Sequence, residues 1–153
     1  MSIDVSDFYY GSAIKQLIDN IVIEKCSILS FPTSSKCAYS INNEVGVYFK
    51  FSRNRGTSWR FTFQKVHQEE IRVMRELLNE VFVILICSND GFVCLDYNDL
   101  KKILDEEYNP VEWISASRNR GSQYTVKGSN GKLNFKVSNK DYPRKIENYF
   151  LSK

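Results

Sequence analysis

Val81-Phe82-Val83-Ile84-Leu85-Ile86-Cys87 is an unbroken apolar run of seven residues. It has the length of a strand, and the β-branched Val and Ile that dominate it pack well on a pleated surface. A run with no polar alternation has no wet side, so it predicts a central strand covered on both faces. Asn89-Asp90-Gly91 then turns the chain into Phe92 to Leu95, and Asp96 or Asn98 caps a short helix carrying Leu100, Ile103 and Leu104.

Working backward from this strand, Gln64 to Glu80 reads as an amphipathic helix with Ile71, Met74, Leu77 or Leu78, and Val81 on its inner stripe. Trp59 to Phe63 is a short strand with Phe61 and Phe63 on one side and Arg60 and Thr62 on the other. Earlier still, Cys37 to Ile41, an Asn42-Asn43 turn, and the alternation of Val45, Val47, Phe49 and Phe51 with Gly46, Tyr48, Lys50 and Ser52 predict a hairpin with one buried face. The first helix is expected to be capped by Ser6 or Asp7 and to bury Ile14, Leu17, Ile18 and Ile21. Downstream, Trp113 and Ile114 precede a turn, and Tyr124 to Lys127 and Lys132 to Val137 flank Gly128-Ser129-Asn130-Gly131 as a hairpin. Leu133, Phe135 and Val137 are expected to face inward and Lys132 and Lys136 outward, and a short helix around Lys145 to Leu151 closes the chain. The sum is an α+β or α/β fold, a mixed β-sheet flanked by helices with a C-terminal basic β-hairpin, in a single domain over 1–153.

With 153 residues, 42% of them hydrophobic, the chain can bury a substantial core. Its cysteines, Cys26, Cys37, Cys87 and Cys94, form no Cys-x-x-Cys pair, and the lone His67 completes no familiar zinc spacing, so free thiols and no metal or cofactor are expected. The N-terminal residues lack the layout of a signal peptide, and no apolar run reaches membrane-spanning length. These features point to a cytoplasmic protein with no membrane partner.

The sequence Ser-Arg-Asn-Arg-Gly occurs twice, at Ser52 to Gly56 and at Ser117 to Gly121, each time directly after a predicted strand. Two guanidiniums one residue apart form a compact fork of donors suited to phosphate or carboxylate. Charge collects around both copies. Residues 1–111 hold twelve basic and fifteen acidic residues, whereas 112–153 hold nine and three, and between Gly46 and Lys65 there are five basic residues and no acid. If the two segments lie side by side they form a basic face for nucleic acid. The expected anion-binding residues are Lys50, Arg53, Arg55, Arg60, Arg118, Arg120, Lys127 and Lys132. Tyr48, Trp59, Trp113 and Tyr124 lie in or beside these segments, either as rings that stack unpaired bases or as core. The alternatives are two solvated turns alike by composition, or a regulatory module whose forks meet an acidic protein partner.

The order helix, hairpin, strand, helix, buried strand, hairpin partner, helix resembles, from about Phe8 to Leu104, the core of the restriction-endonuclease-like superfamily. In that family an acid-x-Lys triplet on a hairpin strand and a second carboxylate hold magnesium. Tyr48-Phe49-Lys50 lies where the triplet falls, with Tyr48 at the acid position, and Tyr39, Ser40 and Asn42 stand where the other acid is expected. The resemblance therefore implies a degenerate core that binds without cutting. A metal-dependent nuclease is the second possibility, with Glu69 or Glu70 supplying the acid from the next helix, and a hydrolytic site without metal, using His67 as general base, is the other departure.

Overall fold

The computed structural model describes residues 1–107 and 110–153. Helix α1 (Val5–Asn20) leads to strands β1 (Ile28–Ser30), β2 (Ala38–Ile41), β3 (Val45–Ser52) and β4 (Ser58–Phe63). Helix α2 (Lys65–Leu77) precedes β5 (Glu80–Cys87), β6 (Gly91–Asp96) and α3 (Tyr97–Ile103). Strands β7 (Glu112–Ser117), β8 (Thr125–Gly128) and β9 (Gly131–Lys132) follow, and α4 (Asp141–Leu151) ends the chain. The fold is α+β. A five-stranded mixed sheet has the order β1-β2-β3-β5-β6, with β3 and β5 parallel, and a four-stranded antiparallel sheet has the order β4-β7-β8-β9.

Residues Val81 to Cys87 are all buried, in the strand between β3 and β6. Their even-numbered members face Phe49, Ala13, Leu17 and Ile146 under α1 and α4, while Val81, Val83, Leu85 and Cys87 face the core shared with α2, α3 and the second sheet. Hydrophobicity on both sides fits this seat. Strand β4 does not take its expected place beside this sheet. It alternates strictly, with Trp59, Phe61 and Phe63 buried and Ser58, Arg60 and Thr62 exposed. A central position would bury that polar side, so β4 pairs with β7 in a sheet that keeps one face wet.

The hairpin β2–β3 is buried on both faces of β3 from Val45 to Phe49, where one buried face was expected. Gly46 makes this possible, because a Cβ there would stand 2.6 Å from Met74 Cε on α2. Asn42 and Asn43 both have positive φ, as the tight turn between these strands requires. At the first helix the cap is Asp4, whose N–H donates to the Asp7 carboxylate at 2.8 Å, and Ile18 points to solvent instead of the core. Leu77 likewise is exposed, and α2 ends there, three residues short of its expected end.

The terminal hairpin is shorter than its sequence pattern predicts. Only Lys127 with Lys132 and Gly128 with Gly131 pair, Val137 meets Tyr124 through an isolated bridge, and Phe135 is exposed while Leu133 and Val137 are buried. The last turn of α3 stops the strand. Asn130 N–H donates to Ile103 O at 3.0 Å, and a Cβ on Gly131 would stand 2.3 Å from Lys102 O. No helix among the described residues is long and apolar enough to cross a membrane.

Candidate functional site

The second sheet has an inner face of Trp59, Phe61, Phe63, Ile114, Ala116 and Val126, all buried in the shared core. Its outer face follows from the register. Arg60 is opposite Ser115, Ser115 opposite Lys127, and Lys127 opposite Lys132, which sets three cations and a hydroxyl in one row across all four strands. Four strands at about 4.8 Å spacing make this row about 14 Å long. The neighbouring outward positions are Ser58, Thr62, Ser117 and Thr125, and no outward residue of these strands is acidic. Trp113 is the aromatic ring on this face, half-buried, with the Arg60 guanidinium 4.4 Å from its centre.

Both pentapeptides lie at one end of this sheet, because β4 starts where β7 stops. Arg118 N–H donates to Thr57 O at 3.0 Å, joining the two turns directly. Their arginines nevertheless differ. Arg53, Arg55 and Arg120 are exposed and have no side-chain partner among the described residues. Arg118 turns inward, with Nε 2.7 Å from Asp90 Oδ2, further bonds to Asp90 O and Ser122 O, and its guanidinium 4.3 Å from the centre of the Tyr124 ring. Its side chain is 14% exposed. Arg118 was expected among the anion-binding groups, but its donors are spent inside the protein on a carboxylate from the β5–β6 turn.

The aromatic rings divide in the same way. Tyr48, Trp59 and Tyr124 are buried, with Tyr48 bonded to Glu70, Trp59 Nε1 to Asn54 O at 2.8 Å, and Tyr124 to Asp90, so none is free to stack on a base. Lys136, not among the expected site residues, faces a notch of about 180 Å³ beside Thr57, Ser117 and Thr125, between the open face and the paired turns. Its signal was the outward phase of Lys132 and Lys136 in the hairpin pattern.

Lys50 does not belong to the open face. It projects from β3 toward α2, where its ammonium lies 3.2 Å from His67 Nδ1 and 5.3 Å from the centre of the Phe63 ring. Burial pulls the Lys50 amine below its ordinary range, with Cys37 and Glu70 pulling the other way. His67 Nδ1 also accepts the Gln64 N–H at 3.1 Å, which places its proton on Nε2. Burial and then the Lys50 charge lower its pKa, so the ring is held neutral. Glu70 stands beside Tyr48. Its Oε1 accepts the Tyr48 hydroxyl at 2.6 Å and its Oε2 accepts Ser34 Oγ and Ser35 N–H at 3.0 and 3.2 Å. Burial pushes this carboxyl up, but hydrogen bonds from Tyr48, Ser35 and Ser34 outweigh it and hold the group below its ordinary range. Glu69 points elsewhere, 3.9 Å from Lys65. Among the described residues, no three of His, Cys, Asp and Glu converge as a metal site would need.

Across the five-stranded sheet, α1, the turn from Ser88 to Gly91 and the start of α4 enclose a polar groove of about 610 Å³. Gln16, Asn20, Asn89, Lys140 and Arg144 line it, with the Tyr9 ring stacked on Phe51 at 4.8 Å. Compared with known proteins, the chain matches no family model, no curated protein and no solved structure.

Proposed function

We propose that this protein binds a polyanion, nucleic acid, on the open face of the four-stranded sheet. The row Arg60, Ser115, Lys127 and Lys132 on a face without acid carries the reading. Lysines and arginines with no internal carboxylate keep their donors for phosphate, and the serine and threonine hydroxyls between them add neutral donors to the same oxygens. Arg53, Arg55 and Arg120 extend this surface at its end. The cysteines are unpaired, three of them buried, which suits the reducing conditions of the cytoplasm as the place where it acts. Fluorescence anisotropy with labelled single- and double-stranded oligonucleotides tests the reading. Binding is expected to fall steeply with salt, and replacing Arg60, Lys127 and Lys132 by Ala to reduce the logarithmic salt slope by about 3. Absence of binding to either oligonucleotide at low salt would refute it and favour an acidic protein partner for the same cations.

A second reading, a metal-dependent nuclease related to the restriction-endonuclease-like core, draws on Glu70 standing beside Tyr48 and within the Lys50 and His67 neighbourhood. The donor set does not fit a magnesium ion, because both Glu70 oxygens already accept hydrogen bonds and no metal-binding group of three or more His, Cys, Asp or Glu forms among the described residues. Binding therefore ranks above cleavage. Cutting of DNA or RNA in Mg²⁺ or Mn²⁺ that is lost in Glu70→Gln and Lys50→Ala would reverse that order.

A further inference from the structure

Several cations without a carboxylate partner among the described residues lie on different surfaces. Arg60, Lys127 and Lys132 are on the outer face of the second sheet. Arg53 and Arg55 follow β3, Asn89 follows β5 and Arg120 follows β7, and these loops are tied together: Ser88 N–H donates to Ser52 O at 2.9 Å and Arg118 N–H to Thr57 O at 3.0 Å. Lys140 and Arg144 lie beyond that end, in the polar groove between α1 and α4 on the far side of the five-stranded sheet. Layers in such folds are about 10 Å apart, so a ligand touching all three regions must turn around the end of the molecule over about 20 Å. Duplex DNA has a persistence length of about 50 nm and does not bend so sharply without large cost. A single strand does.

We propose that the ligand is single-stranded nucleic acid, running from the sheet face over the carboxyl ends of β3 and β5 into the α1–α4 groove. This rests on the polyanion reading of the sheet face and adds a second site to it. The groove's chemistry is that of a nucleotide pocket. Gln16 and Asn89 carry carboxamides that can meet a base edge, Asn20 keeps its carbonyl as an acceptor while its amide donates to Gln16 O and Oε1, and Arg144 and Lys140 can hold the adjoining phosphate. Tyr9 is fixed flat against Phe51, an interplanar angle of 11°, and so presents a ring that costs little to order. Of the groove's acids, Asp90 is neutralised by Arg118, and Glu147 binds the Val22 N–H.

The test measures binding of labelled DNA and RNA single strands of about 20 and about 4 nucleotides, and of a duplex of the longer sequence, to the full chain and to Arg144→Glu and Asn89→Ala. Both sites are at the surface, and thermal melts check that the variants fold. The long single strand is expected to bind at least about tenfold more tightly than the duplex. Arg144→Glu is expected to remove most of that advantage and Asn89→Ala part of it, while duplex binding stays unchanged. The short strand, unable to occupy face and groove at once, is expected to bind the full chain at least about tenfold more weakly than the long one. Equal affinity for duplex and long single strand, or a long-strand affinity that neither variant alters, overturns the proposed path while leaving the sheet-face reading in place. Loss of all binding in the unaltered chain overturns the sheet-face reading itself. The DNA and RNA arms identify which sugar the strand carries.

Discussion

The two Ser-Arg-Asn-Arg-Gly turns are identical in sequence and opposite in use. In the first, the asparagine holds the loop, its carbonyl accepting Trp59 Nε1 and its amide donating to Ser58 O, and both arginines are left in solvent. In the second, the first arginine is drawn inward by Asp90 and Tyr124, and only Arg120 remains free. An arginine binds outward or inward according to whether a carboxylate on another element meets it. Asp90 precedes Arg118 by 28 residues, and only the packing of one sheet against the other brings them together.

The largest expected contrast is in stability. Arg118→Ala removes a half-buried ion pair, leaves Asp90 and the Ser122 carbonyl without their donor, and strips the cation from Tyr124. It is expected to cost about 3 kcal/mol in urea unfolding, while Arg53→Ala and Arg55→Ala leave the midpoint unchanged. Equal losses at the two turns would erase the distinction between them.

A second prediction concerns Glu112, on the strand that leads into the second turn. Burial, and then the neighbouring Asp105 carboxyl, raise its pKa from 4.5 to about 7. The folded protein thus holds a proton there between about pH 4.5 and 7 that the unfolded chain has released. The stability contributed is complete below the lower value and is lost as pH rises through the upper one. Glu112→Gln is expected to stabilise the fold at pH 8 by about 2 kcal/mol and to have no effect near pH 4, as read by thermal melts across that range. A gain independent of pH would assign its effect to packing.

Binding should invert the first contrast. The double change of Arg53 and Arg55 to Ala is expected to weaken nucleic-acid binding about tenfold and to lower the salt slope by about 2, with Arg120→Ala lowering it by about 1. Arg118→Lys, which keeps a cation near Asp90, is expected to leave the slope as it is. The smallest effect is expected from Tyr124→Phe, which deletes one hydrogen bond to Asp90 and keeps the ring beneath Arg118. About 1 kcal/mol of stability and no affinity should be lost. A change in affinity would mean that the inward cluster also positions the outward arginines.

The buried strand was legible because Val81 to Cys87 offers no polar side, a property of the residues themselves. The capped helix after Asp96 was legible for a similar local reason, since the Asp96 carboxylate accepts the Asp99 N–H at 2.8 Å. Strand β4 was recognised as a strand, but its sheet was not, although the exposed phase of Ser58, Arg60 and Thr62 already argued against a central seat. Of the expected binding residues, Arg60, Lys127 and Lys132 align because strand phase sets their direction. Lys50 shares that phase pattern on β3, yet α2 lies over it, and Arg118 has its carboxylate partner on another sheet. Partners distant in sequence leave no mark on local pattern. The groove residues were missed for the same reason, since Gln16, Asn89 and Arg144 come from separate elements and form no motif.

Strand β9 is only two residues long and ends against the last turn of α3, with Gly131 pressed on the Lys102 carbonyl. An exposed sheet edge invites another chain to add a strand, and a sheet with one face in solvent is the more vulnerable to it. On this side α3 supplies the cover. The missing Cβ at Gly131 therefore guards this edge: any side chain there would lift the helix away and open a seam along which another chain could join.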